Sequence, residues 1–282
     1  MNKKVIIASD STCDLGPELI SRYGIKIVPL SVNLGDKIYT DGVDIDPDMI
    51  YQHYELNHEL PKTAAPNVLD FSTFYQQYTA QGYAVVMFTI SATMSSTFNN
   101  ARLAALDFED VYAVDTCNLS TGGGLLVLHA AELAAAGKSA AEIVEECRAM
   151  TGKVDASFVI DNLEFLHKGG RCSAVAAFGA NLLQLKPCIG VSEGKMGVGK
   201  KYRGKFAMVL QKYIEDRIGD GTGICKKRIF VTHAGCDAEI VQQCVDQVKA
   251  LQMFDEVLVT RAGCTVSSHC GRNTLGVLFV KE

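Results

Sequence analysis

Apolar runs alternate with amphipathic segments through the first half of the chain. Residues 83–90 are almost entirely apolar, which is typical of a parallel strand covered on both faces. Shorter apolar runs at 4–8, 25–32 and 111–114 predict further strands. Helices are predicted between the strands, at residues 16–23, 46–56, 67–82, 96–106, 119–136 and 139–151. This alternation predicts a doubly wound, mostly parallel α/β sheet.

Polar residues mark where several of these helices begin. Asn67 and Ser139 stand directly before helical patterns, where their side chains can cap free backbone N–H groups. Asp46-Pro47 combines a capping residue with a proline suited to a first helical turn. Residues 33–46 are polar and contain the turn signals Gly35-Asp36 and Asp41-Gly42, so we expect a loop there.

The second half of the chain is less regular. Strands are predicted at 157–160, 228–233, 256–260 and 274–280, and a hairpin is predicted from 188–192 and 200–203 around a glycine-rich turn. Helices are predicted at 162–168, 174–185, 207–218 and 238–251. We therefore expect an N-terminal α/β domain over residues 1–154. A second α/β domain with a mixed sheet should follow over 155–282, packed tightly against the first because no linker separates them.

Composition and charge exclude several classes of function. The 282 residues are 48% hydrophobic with a net charge of -5, and no Lys/Arg block suggests a nucleic acid or a membrane surface as partner. No apolar run reaches the roughly 20 residues of a membrane span. The N-terminus lacks a signal-peptide pattern, so we expect a cytoplasmic protein. Ten cysteines without a C-x-x-C pair indicate reduced thiols and no metal site.

Three polar stretches follow predicted strands or helices, where open α/β folds bind ligands. Residues 91–97, before a helix, carry hydroxyl groups suited to an anion. Residues 167–173 pair two glycines with Arg171, whose guanidinium matches a carboxylate or phosphate. Residues 267–273, expected in a loop before the last strand, contain His269. Taken singly, each has a plainer interpretation: a helix cap, a solvated arginine and a solvated histidine.

Two nucleotide-binding motifs are absent or incomplete. Residues 194–201 nearly fit a phosphate-binding loop but end in Lys201, where a hydroxyl side chain is required. A hairpin turn explains those glycines better. The first strand is followed by Ser9-Asp10-Ser11-Thr12 instead of G-x-G-x-x-G, which disfavours a dinucleotide.

Together these segments resemble the DegV family of bacterial fatty-acid-binding proteins over nearly the whole chain. The most specific piece is Leu163-Glu164-Phe165-Leu166-His167-Lys168-Gly169-Gly170-Arg171, followed by Leu185-Lys186-Pro187. The other matching pieces are Asp10–Leu15, Pro29–Val32, Thr63–Pro66, Ile90–Thr97, Val114–Thr116, His269–Gly271 and Leu275–Val277. Their order and spacing carry the resemblance more than any one of them does.

The resemblance implies a non-catalytic carrier with a lipid tunnel near the domain junction, active in lipid transport and phospholipid metabolism. By position, Thr63 and Ser95 would bind the fatty-acid carboxylate, with Ser96 beside them. Arg171 and His269 would complete the polar end. The ligand would be one long-chain fatty acid, with no other cofactor. A separate ATP-dependent fatty-acid kinase, which converts the bound acid to an acyl phosphate, is the implied partner.

Two motifs of the chain differ from the family pattern, and two other functions are alternatives to a fatty-acid carrier. The family's T-S-Q-P is Thr63-Ala64-Ala65-Pro66 here, and its L-S-G-T-Y is Met94-Ser95-Ser96-Thr97-Phe98. These changes bear on kinase recognition and head-group geometry. A serine hydrolase using Ser95, His269 and Asp115 is one alternative, although no G-x-S-x-G motif supports it. A regulatory protein with a structural lipid is the other.

Overall fold

A computed structural model describes residues 3–176 and 185–282. Its strands form three sheets, with the orders β2-β1-β6-β7, β10-β9-β8-β13-β11-β12 and β4-β3-β5. The strands are β1 Val5–Asp10, β2 Lys26–Val28, β3 Ser31–Leu34, β4 Lys37–Thr40, β5 Lys62–Ala64, β6 Ala84–Thr89, β7 Val111–Asp115, β8 Val154–Ile160, β9 Lys186–Ser192, β10 Lys195–Tyr202, β11 Ile224–Ala234, β12 Glu256–Arg261 and β13 Thr274–Lys281. The helices are α1 Pro17–Tyr23, α2 Pro47–Asn57, α3 Val68–Thr79, α4 Thr97–Ala105, α5 Ser120–Ala135, α6 Ala140–Thr151, α7 Glu164–Gly169, α8 Ser173–Ala176, α9 Phe206–Ile218, α10 Ala238–Ala250 and α11 Cys264–Cys270.

The four-stranded sheet is entirely parallel and carries helices on both faces. Along β6, Val86 and Phe88 pack with α1, α5 and α6 on one face. Val85 and Met87 pack with α3 and α4 on the other. Successive side chains of a strand point to opposite faces, so a fully apolar strand matches a sheet covered on both sides. The predicted doubly wound α/β architecture is confirmed.

The six-stranded sheet is mixed, as predicted for the second half. Only β11 and β12 pair in parallel, and the other neighbouring strands are antiparallel. Helices α9 and α10 cover one face. On the other face Ala156, Phe230 and Leu278 belong to the same buried cluster as Leu125 and Leu128 of α5, so α5 lies between the two large sheets. The division into domains at residues 154 and 155 stays a prediction.

The prediction of a single strand at 25–32 was wrong. It is two strands, β2 and β3, which belong to different sheets. Pro29 between them has no N–H to donate to a ladder, and Leu30 N donates to Ser11 Oγ at 3.1 Å instead. The segment 33–46, predicted as a loop, also contains the strand β4, which pairs with β3 across a turn at Gly35.

Other differences lie in the second half. The loop predicted over 267–273 is wrong at its start, because residues 267–270 belong to the helix α11, where burial between neighbouring elements outweighs a weak local helical pattern. The hairpin turns tightly at Glu193 and Gly194, both with positive φ, so Gly197 and Gly199 lie inside β10. Most of the helix predicted at 174–185 lies outside the described residues. Across the described chain, no helix is both long and apolar enough to cross a membrane.

The predicted helix starts are confirmed at three caps. Asp46 accepts from the backbone N–H of Met49 at 3.0 Å. Asn67 and Ser139 each form a reciprocal capping box with the acidic residue three positions later. These short-range contacts need no tertiary partner, which is why the local sequence predicts them well.

Candidate ligand-binding site

Thr63 and His269 meet across 206 positions of sequence. Thr63 lies on β5 at the edge of the small sheet, and His269 lies near the end of α11. Thr63 Oγ1 and His269 Nε2 are 2.9 Å apart. The other ring nitrogen, Nδ1, is buried and has no hydrogen-bond partner among the described residues. This nitrogen faces Gly169, and a buried nitrogen without a partner is uncommon.

The surroundings keep His269 neutral. Burial, with a smaller contribution from the charge of Arg171, lowers the pKa of His269 to about 4. A neutral imidazole carries one proton, so one ring nitrogen donates and the other accepts.

Gly169 brings the α7 backbone against this ring. A Cβ atom built at Gly169 would lie only 2.7 Å from His269 Nδ1, so a larger residue would fill the space beside the free nitrogen. The carbonyl of Gly169 also accepts from Arg171 Nη1 at 2.9 Å. Gly169 thus joins the Thr63–His269 pair to Arg171, whose side chain is exposed.

Ser95, Ser96 and Arg171 line one cleft of about 700 Å³. Ser95 Oγ lies 2.8 Å from Thr97 Oγ1 and accepts from Thr97 N at 3.2 Å. Ser96 stands at the N-cap of α4 but makes no side-chain capping bond, so its exposed hydroxyl is free for a ligand. The five predicted site residues therefore fall into two groups, Thr63 with His269 and Ser95, Ser96 with Arg171, linked through Gly169.

Two hydroxyl groups of the 91–97 stretch have a structural role. Ser91 Oγ donates to the carbonyl of Gly194 at 2.8 Å, and Thr93 Oγ1 donates to the same atom. These bonds hold the tip of the β9–β10 hairpin over the cleft and bring in Lys195 and Met196, which also line it. Neither residue is indicated by the local sequence, because nothing local shows where the tip of a hairpin will pack.

A second cavity, narrow and almost wholly apolar, lies between α5, α11 and the six-stranded sheet. Its volume is about 30 Å³, room for about two water molecules. Its walls are Leu119, Ser120, Ala156, Phe158, Val191, Thr232, His233, Ala234, Ala262, Val266, Cys270, Thr274, Gly276 and Leu278. Met94 and Met196 of the polar cleft belong to the same apolar cluster as Leu119 and Phe158, so apolar packing is continuous from cleft to cavity.

The residues of the hydrolase alternative are not assembled. Ser95 bonds to Thr97, His269 bonds to Thr63, and Asp115 accepts from the backbone N–H groups of Ala92 and Cys117. No hydrogen bond found in the described part of the chain joins serine to histidine or histidine to aspartate. Nor do residues 3–176 and 185–282 contain a group of three His, Cys, Asp or Glu side chains able to hold a metal ion.

Comparison with known proteins places the chain in a family. A family model described as an uncharacterised protein of the DegV family matches residues 4–282. The chain belongs to the DegV family. A DegV domain-containing protein of Clostridium acetobutylicum is 31% identical over 284 residues, covering 99% of each chain. The resemblance predicted from the sequence is therefore confirmed.

Solved structures of DegV proteins share the fold. One, presented as the fatty acid binding of a DegV family protein from Thermus thermophilus, has a TM-score of 0.90 at 31% identity and covers 100% of both chains. A second, a hypothetical protein from Thermotoga maritima said to reveal fatty acid binding function, has a TM-score of 0.82 at 26% identity and covers 99% of both chains. The predicted α/β fold is confirmed.

Proposed function

We propose that this protein binds one long-chain fatty acid, with the carboxylate at Thr63, Ser95, Ser96, Arg171 and His269. The observation that carries the proposal is the pair of Thr63 and His269, whose buried, neutral imidazole lies beside Arg171. The cleft next to it continues into apolar packing. The two solved relatives described above are both presented as fatty acid-binding proteins, which agrees with a binding protein and not an enzyme.

The acyl chain should provide most of the affinity and the carboxylate most of the orientation. Burial of fifteen chain carbons at about 0.8 kcal/mol each corresponds to roughly 12 kcal/mol before the cost of association. A hydrogen bond to the charged carboxylate adds only about 1.5–3 kcal/mol. The polar site therefore selects an acid among molecules of similar length.

The apolar cavity has to widen to admit an acyl chain, since about 30 Å³ holds far less than one. Met94 and Met196 lie where the polar cleft meets the apolar cluster. Methionine side chains are flexible and adapt to irregular spaces. We expect these two to move first when a chain enters.

A fatty-acid kinase is the partner we propose, on the basis of the family resemblance. The polar cleft supports this, because exposed Ser96, Arg171 and Lys195 leave the head-group end accessible to a second protein. The ten cysteines are all in the reduced form, which supports a reducing, cytoplasmic setting. If fatty acid binds but purified kinase forms no acyl phosphate with it, the regulatory alternative with a structural lipid is favoured instead.

Mass spectrometry of the purified protein, native and after solvent extraction, tests the proposal. We expect one fatty acid per chain, and we expect Arg171→Ala to lower its affinity. Lys168→Ala is the matched control, because Lys168 is exposed close by in sequence and pairs with Glu164. The proposal is contradicted if the purified protein is empty and takes up no added fatty acid. In that case added fatty acid should also leave the melting temperature unchanged.

A further inference from the structure

Two buried carboxylates hold the start of α11, the helix that carries His269. Asp41 accepts from the backbone N–H of Cys264 at 2.8 Å and of Thr265 at 3.1 Å. It also accepts from Thr265 Oγ1 at 2.6 Å. Asp14 accepts from the N–H of Gly263 at 2.8 Å. The first turn of α11 therefore has its free N–H groups bound by side chains more than 200 residues away in sequence.

Asp14 also connects α11 to the wall of the apolar cavity. Ser120 Oγ donates to Asp14 at 2.5 Å, and Ser120 is one of the residues that line the cavity. Ser120 has a φ of 52°, a conformation that costs a non-glycine residue free energy and needs support from its surroundings. Asp14 and Asp41 are only 5% and 4% exposed, and neither lines the polar cleft.

Helix α11 depends on such contacts for its position. It has seven residues, too few to be stable without tertiary packing. Its far end carries His269, whose bond to Thr63 is 2.9 Å long. A displacement of well under 1 Å along that bond would bring it past the usual limit of a hydrogen bond. The position of the imidazole therefore depends on the contacts that hold the first turn, together with the packing of α11 against α7 and α2.

We propose that Asp14 and Asp41 are positioning residues for head-group recognition, which fix α11 so that His269 is oriented toward the ligand carboxylate. This inference rests on the proposed function. The alternative is that the two carboxylates only stabilise the fold. The two roles differ in one observable: loss of positioning weakens recognition of the carboxylate, whereas loss of stability alone weakens every ligand alike.

The test compares palmitic acid with hexadecanol, which has the same chain length and no carboxylate. We expect wild-type protein to prefer the acid. Asp41→Asn should lower this preference at least about tenfold, the effect of losing the hydrogen bond between His269 and the charged carboxylate of the ligand. The affinity for hexadecanol should stay within about twofold of wild type. Thr265→Val, which removes only the hydroxyl donor to Asp41, should act in the same direction and serves if Asp41→Asn does not fold.

Asp14 provides a rescue experiment. Asp14→Ala should lower the preference, whereas Asp14→Asn should restore it, because the amide oxygen can still accept from Gly263 N. Asp155→Asn is the matched control: Asp155 is also buried, but it pairs with Arg217 and Lys281.

The measured preferences for acid over alcohol can overturn the inference in three ways. An unchanged acid preference in folded Asp41→Asn and Asp14→Ala proteins overturns the inference. So does an equal loss of affinity for acid and alcohol. The same loss of preference in Asp155→Asn would likewise show that any buried carboxylate has this effect. If the wild-type protein binds neither ligand or does not distinguish them, the proposed function itself fails, and the inference fails with it.

Discussion

Replacing Gly169 by alanine should separate ligand binding from stability. The new Cβ atom would lie 2.7 Å from His269 Nδ1, whereas ordinary contacts begin near 3.4 Å. The ring therefore has to move by about 0.7 Å, the difference between these distances. Because the push comes along the axis of Nδ1, it displaces Nε2 on the far side of the ring and disturbs its 2.9 Å contact with Thr63 Oγ1.

The expected effects differ in size. Alanine is more favourable than glycine in a helix by about 0.5–1 kcal/mol, which offsets part of the roughly 1–3 kcal/mol cost of crowding the ring. The free energy of unfolding should thus change little. Loss of the His269 bond to the ligand carboxylate removes about 1.5–3 kcal/mol, a 10- to 150-fold weaker affinity for palmitic acid.

Displacement of a fluorescent fatty acid measures the affinity, and urea unfolding measures the stability. Gly152→Ala is the control, since Gly152 also ends a helix but has no atom within 4 Å of a built Cβ. A folded Gly169→Ala protein with wild-type affinity for palmitic acid would refute the assignment of His269 to the head-group site. An equal loss in Gly152→Ala would point to a general effect of glycine replacement.

Two further predictions concern the cavity and pH. Ala234→Leu, which adds bulk to the wall of the narrow cavity, should weaken palmitic acid and hexadecanol to a similar extent by calorimetry; a selective loss of the acid would place Ala234 at the head group. Below its unfolded pKa of about 6.5, His269 binds a proton more readily in the unfolded chain than in the folded one, where its pKa is about 4. Acidification from about pH 6.5 to 4 should therefore lower the free energy of unfolding of the wild-type protein by at most about 3 kcal/mol more than that of His269→Gln. Equal decreases in melting temperature for the two proteins over this pH range would exclude this linkage.

Local sequence determined those parts of the protein that depend on neighbours in the chain. The apolar run at 83–90 became the interior strand β6, and Asn67 and Ser139 cap the helices predicted for them. Period-2 burial and end-capping act over a few residues, so they can be read without a fold. The motifs around Thr63, Ser95, Arg171 and His269 likewise predicted the family that the comparisons show.

Tertiary structure decided what depends on distant partners. Pro29 divides one predicted strand between two sheets, and α11 forms where the local pattern predicted a loop. The pairing of Thr63 with His269, and of Asp14 and Asp41 with the first turn of α11, joins segments that are more than 200 residues apart. A short, buried helix has too little intrinsic stability to be predicted from its own residues, because its free energy comes from contacts that exist only once the sheets have packed.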